Sequence, residues 1–491
     1  MERPILTLGP KEFLRGLSGS AHSGYGGLFY TARGLSPLRD LGDVEEENIG
    51  LLQTAPVGTG SGTLSDVPIV GDKDFDPAGT SSYLYIIGSE GHFYKTAQGT
   101  VSVTDLRSST PITSPSNGVA VFAAAGGTKY LYYWQNTQIG RWDLSGSYPT
   151  GWTDNHFTGL ENVQSHPTHK LFDAIYYGND YKVGAITDDG AASVTHNTNV
   201  LDFPSHLQVT ALEDDGVYLV IAVASDKKYV GANVDTRIVF WDTSSSSWSR
   251  EYRIADPAIA DMKRIGNIVY AIGRYGIYTV SFGGGIQKVW QGGAIATATR
   301  GPAILSSFND SLLIGNTGAG GKVALLGRPS PLLPFAYHEL FVINAASNNA
   351  ACFVDGEFSS GVVIIGDQSP ALKSYHVSVS GGGNATGLSF QTIYIPFREP
   401  TQVHRIDVIF GEPLASGDAF DIDTKVDEDT AAVDFDSASF TSDGAIRRKS
   451  MYPAASVEVN NQLSIIGNFT GGAAKIKRIE VYGQPLTLGT T

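Results

Sequence analysis

The sequence predicts an all-β protein: four short antiparallel strands repeated over residues 71–380, then a second β domain of longer strands over 381–491. Three observations carry this reading. The most apolar run recurs near Tyr83, Tyr130, Ala174, Tyr218, Ile268, Leu312 and Val362, at spacings of 47, 44, 44, 50, 44 and 50 residues. The runs are β-branched or aromatic and are separated by Gly, Asn, Asp or Ser turns. Charged residues make up only 17% of the chain and glycines number 58, against typical shares of roughly 25% and 7%, a balance that suits many tight turns and few helices.

The repeat is clearest from Leu207 to Gln291. Val209–Leu212, Tyr218–Val223, Ile238–Trp241 and Trp248–Ile254 form one set of four runs. The same order returns in Ile259–Lys263, Ile268–Ile272, Ile277–Phe282 and Gln287–Gln291. A four-stranded meander repeated every 40–50 residues is the signature of a β-propeller blade. Seven anchors indicate about seven blades.

Residues 1–70 do not match the repeat and are expected to form an extended arm that completes the first blade or docks on a neighbour. Lys11–Leu17 suits a short helical turn, Leu28–Tyr30 is apolar, and Asp43–Glu47 is acidic. Ser380–Asn384 (SGGGN) reads as a linker. Beyond it, Ser389–Ile395, Gln402–Phe410, Phe420–Val426, Ser456–Val459, Gln462–Phe469 and Lys475–Val481 alternate as strands of a β-sandwich. In the second of these, Val403, Arg405, Asp407 and Ile409 are expected on one face, with His404, Ile406, Val408 and Phe410 on the other.

Composition narrows the function. Lys and Arg number 34 against 49 Asp and Glu, a formal charge of −15. A surface of that sign repels phosphate and argues against tight nucleic-acid binding. Cys352 is the only cysteine, so no intrachain disulfide forms, and it reads as a small buried apolar residue. The start lacks a signal-peptide pattern, and no apolar run approaches the ~18 residues of a membrane span. The expectation is a soluble protein made in a cytoplasm, without membrane insertion.

Candidate chemistry is sparse. His166 and His169, with His156 and Asp173 nearby, form the best metal candidate, but only two ligands have defined spacing and no HExxH is present. The residues read instead as a loop whose histidines bond to backbone. Asp421, Asp423, Asp427, Glu428, Asp429, Asp434 and Asp436 form an acidic run without the glycine and distal glutamate of an EF-hand. Asp421 and Asp423 are expected on a solvated strand face. Asn316–Val323 lacks the first glycine and the closing Ser/Thr of a phosphate-binding loop, and Gly58–Gly62 precedes no helix and reads as a flexible turn.

Trp142-Asp143 and Trp241-Asp242, 99 residues apart, place an aspartate where it can cap the turn after a third strand. The Gly-His partner of WD40 repeats is missing, and Asp242–Trp248 is one residue too long for a sialidase Asp-box. Arg447, Arg448, Lys449, Lys475, Lys477 and Arg478 form the main basic concentration, read as a solvated or subunit-facing patch. No catalytic, cofactor-binding or metal-ligating set is assigned from the sequence.

Val403–Asp418, Thr441–Lys449 and the strand ending at Gly483, together with Gln138–Leu144, Val239–Trp248 and Gly27–Leu38, resemble structural proteins of tailed-bacteriophage virions. The resemblance implies a non-enzymatic, tail-associated virion component (nozzle, hub or fibre-attachment ring) that assembles as a ring-symmetric homo-oligomer with other virion proteins. It implies no catalytic residues. Two alternatives stay open: a virion protein binding a host receptor or surface glycan, and a propeller glycosidase with carboxylates converging on the axis.

Overall fold

A computed structural model describes residues 3–13, 15, 28–33, 35–36, 52–54, 59–74, 82–98, 100, 102–125, 127–190, 193–225, 235–291, 304–308, 310–315, 322–327, 335–342, 351–359, 362–367, 371–376, 388–427, 429, 431–436, 440–442, 444–470 and 475–486. The chain is nearly all β. Its one helix among the described residues is the single turn Pro10–Phe13.

Seven four-stranded antiparallel sheets occur among the described residues, in a propeller-like arrangement. Their first strands are Pro68–Asp74, Pro115–Ala123, Thr168–Leu171, Gln208–Asp214, Ile259–Ile265, Leu305–Phe308 and Ala351–Ser359. These strands neighbour one another in a closed circuit, the seventh lying beside the first. The second strands are Tyr83–Gly88, Lys129–Gln135, Ala174–Asn179, Leu219–Ala224, Ile268–Gly273, Ser311–Ile314 and Val362–Asp367. Every apolar run that anchored the sequence repeat falls on, or one residue before, one of them. The reason is burial on both faces: Leu219–Ala224 is buried throughout, so it reads as continuous apolar sequence.

The seventh sheet takes its fourth strand from Thr59–Thr63, which precedes the first sheet in the chain. The expected arm therefore closes the last sheet and not the first. The stretch Gly58–Gly62, expected as a flexible turn, lies largely in this strand, because backbone pairing alone can hold small residues that offer no side-chain signal.

Within the sheets, tyrosine rings pack tightly over glycines of the adjoining strand. The Tyr133 ring lies over Gly140 in the second sheet and the Tyr177 ring over Gly184 in the third; a Cβ at either glycine would stand 2.1 Å from the tyrosine Cζ. The Tyr133 hydroxyl donates to Asp154. The Tyr177 hydroxyl pairs with His196 Nε2 at 2.7 Å. The Trp-Asp turns are capped as expected. Asp242 Oδ1 accepts the Ser244 and Ser245 amides at 3.0 and 2.7 Å, and Asp143 Oδ1 accepts the Ser145 amide at 3.0 Å.

The chain forms two compact units, residues 60–319 with 349–375, and residues 1–59 with 320–348 and 376–491. The closed circuit of first strands belongs to the former. The latter holds two seven-stranded sheets. In one, Thr401–Phe410 and Lys475–Pro485 pair at the centre; in the other, Ala419–Val426 and Gln462–Thr470 do. N-terminal strands join them: Leu6–Leu8 pairs with the last strand, and Phe29–Arg33 with Leu388–Thr392. Residues of both sheets, among them Ile406, Val408, Ile422 and Ile465, share one buried hydrophobic cluster.

The face assignment in Thr401–Phe410 changes at a bulge. The register shifts between Val403 and Arg405, so Val403 joins Ile406, Val408 and Phe410 in the core. Asp407, fully buried, is held by Arg405 and Arg448. An extra residue on one strand swaps the faces on either side of it. Ser380–Asn384, Asp43–Glu47 and the Cys352 side chain lie outside the described residues.

The glycine–tyrosine contacts yield a prediction. Gly140→Ala and Gly184→Ala should each destabilise the protein by about 1–3 kcal/mol, the usual cost of overpacking. Gly283→Ala, where a Cβ meets nothing within 4 Å, should not. Melting temperatures of the three variants check this, and three equal values would count against the packing argument.

Candidate functional site

The first strand of each sheet presents an edge to the centre of the circuit, with no backbone ladder to the next sheet. Its polar groups therefore need side-chain partners. Polar contacts cross all seven junctions, reaching backbone groups at four of them and joining side chains at the other three. From first to second sheet, Asp72 Oδ2 accepts the Val121 amide at 2.6 Å. From second to third, Thr168 Oγ1 donates to the Val119 carbonyl at 3.1 Å. From third to fourth, His169 Nε2 pairs with Asp214 Oδ2 at 2.8 Å. Arg264 of the fifth sheet bonds the other Asp214 oxygen. From fifth to sixth, Asp261 Oδ2 accepts the Leu305 amide at 2.9 Å. From sixth to seventh, Ser306 Oγ accepts the Gly356 amide at 3.0 Å and Ser307 Oγ donates to Glu357 at 2.6 Å. From seventh to first, Lys73 Nζ lies 2.8 Å from Asp355 and 2.6 Å from Glu357.

These strands enclose a cavity of about 290 Å³. Its wall carries Asp72, Glu213, Asp261, Asp355 and Glu357 against Lys73, Lys170 and Lys263, with His169 between them. Two lysines reach past their immediate neighbours: Lys170 to Asp72 at 2.7 Å, and Lys263 to Glu357 at 2.9 Å. Burial works against the Glu357 carboxylate, but Lys263 and Lys73 outweigh it and hold its pKa below the usual range. Burial also works against the Lys263 ammonium; Glu213, Glu357 and Asp355 outweigh it and raise its pKa.

Asp261 differs. Burial pushes its carboxyl up to about 7, against the lowering effect of the Leu305 and Met262 amides, and Glu213 adds to the rise. His169 is lowered by burial, with Glu213 pulling the other way.

The four residues of the sequence-level metal candidate are not brought together. His166 is fully buried and spans two carbonyls, Gly178 O at 2.6 Å from Nδ1 and Asn136 O at 3.1 Å from Nε2. It is a backbone-bonded core histidine, as its loop position implied. His156 packs on Phe157 at 4.2 Å between ring centroids, and burial first, then Arg141 and His196, lower its pKa to about 4. Only His169 joins other potential ligands, Glu213 and Asp214.

The acidic run is also rearranged. Asp421, Asp423 and Asp434 converge, and desolvation, then mutual repulsion, raises the Asp421 and Asp423 pKa values. Those two side chains lie, as expected, on the strand face opposite buried Phe420, Ile422 and Thr424, but they are only partly exposed, with Asn468 of the neighbouring strand donating to Asp423 at 3.0 Å. Asp427 leaves the group and caps the Asn460, Asn461 and Gln462 amides. Glu428 and residues 316–321 lie outside the described residues. The basic concentration is partly consumed by ion pairs: Lys475 with Glu412 at 2.8 Å, Arg478 with Glu480 at 2.9 Å, and Arg448 with Asp407.

The cavity residues missed in the sequence had one available signal. The partners lie one repeat apart: 49 residues for Asp72 and Val121, 45 for His169 and Asp214, 50 for Arg264 and Asp214, 44 for Asp261 and Leu305, 50 for Ser306 and Gly356.

The raised Asp261 pKa has a definite sign. A carboxyl that binds its proton more tightly when folded than at the ordinary value near 3.9 costs stability as pH rises from about 4 through about 7. Asp261→Asn removes that slope and leaves a roughly constant offset of about 1–3 kcal/mol, since the amide oxygen can accept only one of the two amides. Urea midpoints of both proteins across this range should converge as pH rises. Parallel curves would contradict the assignment.

No protein-family model matches the chain, and no curated protein matches it. Solved structures to which it is similar include the computationally designed Ika8 protein, at 12% identity over 65% of this chain and 99% of that one, with a TM-score of 0.38. BBS1N, solved in complex with ARL6DN, is 11% identical over 67% of this chain and 98% of its own, with a TM-score of 0.42. An exo-beta-1,3-galactanase from Phanerochaete chrysosporium is 11% identical over 88% and 100%, with a TM-score of 0.31.

Proposed function

We propose that this chain is a non-enzymatic structural component of a tailed-bacteriophage virion, a seven-bladed β-propeller joined to a β-sandwich and assembling as a tail-associated ring. The seven four-stranded sheets are the blades, and the paired seven-stranded sheets are the sandwich. The observation that carries the reading is the use to which the central acids are put. A glycosidase needs two carboxylates free to act on substrate as acid and as base or nucleophile. Here Asp72, Asp214, Asp355 and Glu357 are held by lysine, arginine or histidine, and Asp261 by backbone amides. Such groups lock the blades together, which suits a stiff subunit making repeated lateral contacts.

A cavity of about 290 Å³ matches a small ligand and not a nucleic-acid duplex. On this reading, any DNA path is the lumen of the assembled ring, where the −15 balance limits phosphate adhesion. One feature favours host-surface recognition as a second reading. Phe172 at a hairpin tip of the third sheet is 67% exposed with φ of 53°, a conformation unfavourable for a bulky side chain.

Gold-labelled antibody against the chain should decorate phage tails in electron micrographs, and the purified protein should release no reducing sugar from host polysaccharide. Absence of label from virions, or sugar release, overturns the proposal. Binding on a glycan array that Phe172→Ser abolishes would favour the second reading.

A further inference from the structure

Glu213 is 7% exposed and lines the cavity. Among the described residues no lysine or arginine lies within ion-pair distance of it. Lys263, whose field reaches Glu213, is seated on Glu357 at 2.9 Å. What faces Glu213 is an imidazole: His169 Nε2 stands 3.5 Å from Oε1, and 2.8 Å from Asp214 Oδ2. The wall around them carries five carboxylates and three lysines. Glu213 Oε1 accepts the Asp214 amide at 3.2 Å and feels the Lys263 field; a cation seated beside the imidazole would give this buried carboxylate a direct counter-charge.

We infer that His169, Glu213 and Asp214 form a binding site for a divalent transition-metal ion of the zinc class, clasping the first strands of the third and fourth sheets. One donor atom from each lies within 4.8 Å of the others. A tetrahedral ion with ligands at about 2.0–2.1 Å separates its donors by roughly 3.3 Å, and the two measured separations bracket that value. The imidazole selects zinc-class ions over calcium or magnesium, which prefer all-oxygen sites. Arg264 and the Gly216 amide, the latter at 2.7 Å, hold Asp214 Oδ1, which aims Oδ2 at His169 as an outer-shell partner would. All three ligands sit on strands, so the geometry is fixed by the sheets. His169 and Glu213 line the cavity, which leaves its side of the ion to water. The inference does not depend on the virion reading.

The test is zinc titration of the chelator-treated full chain against a chromophoric competitor, with melting temperature as a second readout. The expected result is one zinc per chain and a raised melting temperature. His169→Gln and Glu213→Gln should each weaken binding by more than the roughly 10–100-fold that loss of an outer-shell partner costs. His206→Gln, at an exposed histidine, should leave it unchanged. Cobalt added to the wild-type chain should give the visible spectrum of a tetrahedral ion, which keeps the test independent of whether the variants fold. No stoichiometric binding, binding equal in all variants, or a cobalt spectrum of six-coordinate type would each overturn the inference.

Discussion

Seven sheets meeting around an axis share no backbone ladder where their first strands face one another. The amides and carbonyls of those strands must nevertheless be satisfied, because an unmet buried group costs about 1–3 kcal/mol. Side chains do this at four junctions, and at the other three they pair with one another across the gap. Asp72, Asp261 and Ser306 accept amides from the neighbouring strand, while His169, Arg264 and Lys73 bind carboxylates across the gap. Bonds to charged groups are the stronger class, and they cross every junction but that from the second to the third sheet, where Thr168 donates to a carbonyl. Each sheet is held by the one before it and the one after it.

That constraint shapes what the centre can do. A wall of alternating acids and bases is expensive to desolvate unless nearly every group has a partner. Partnered groups are poorly suited to react. Asp261 and Glu213, which accept backbone amides without an ion pair to lysine or arginine among the described residues, occupy one sector of the wall, where the third, fourth and fifth sheets supply His169, Glu213, Asp261 and Lys263. Elsewhere in the wall the polar groups join one sheet to another.

The repeat was legible because second strands are buried on both faces. Their apolar runs, such as Tyr83–Gly88 and Ile268–Gly273, stand out at near-constant spacing. The capping role of Asp242 was legible because an aspartate bonds amides two and three residues ahead of it, which is local information. The junction contacts were not: Asp72 and Val121 are 49 residues apart, and only the period itself links them. The Val403–Arg405 bulge was hidden for another reason. A shifted register leaves the composition of a strand intact and changes only which side each residue faces. Thr59–Thr63, with no apolar or aromatic side chain, gave no sign of being a strand at all.

That strand has a consequence for how the chain is made. Its sheet partners end at His376, so a nascent chain emits Thr59–Thr63 long before anything exists for it to pair with. At 5–20 residues per second the wait is about 15–60 s. A strand of threonine, glycine and serine is a poor template for aggregation during that interval. The same plainness that concealed it from sequence reading lets it idle safely until synthesis delivers its mates.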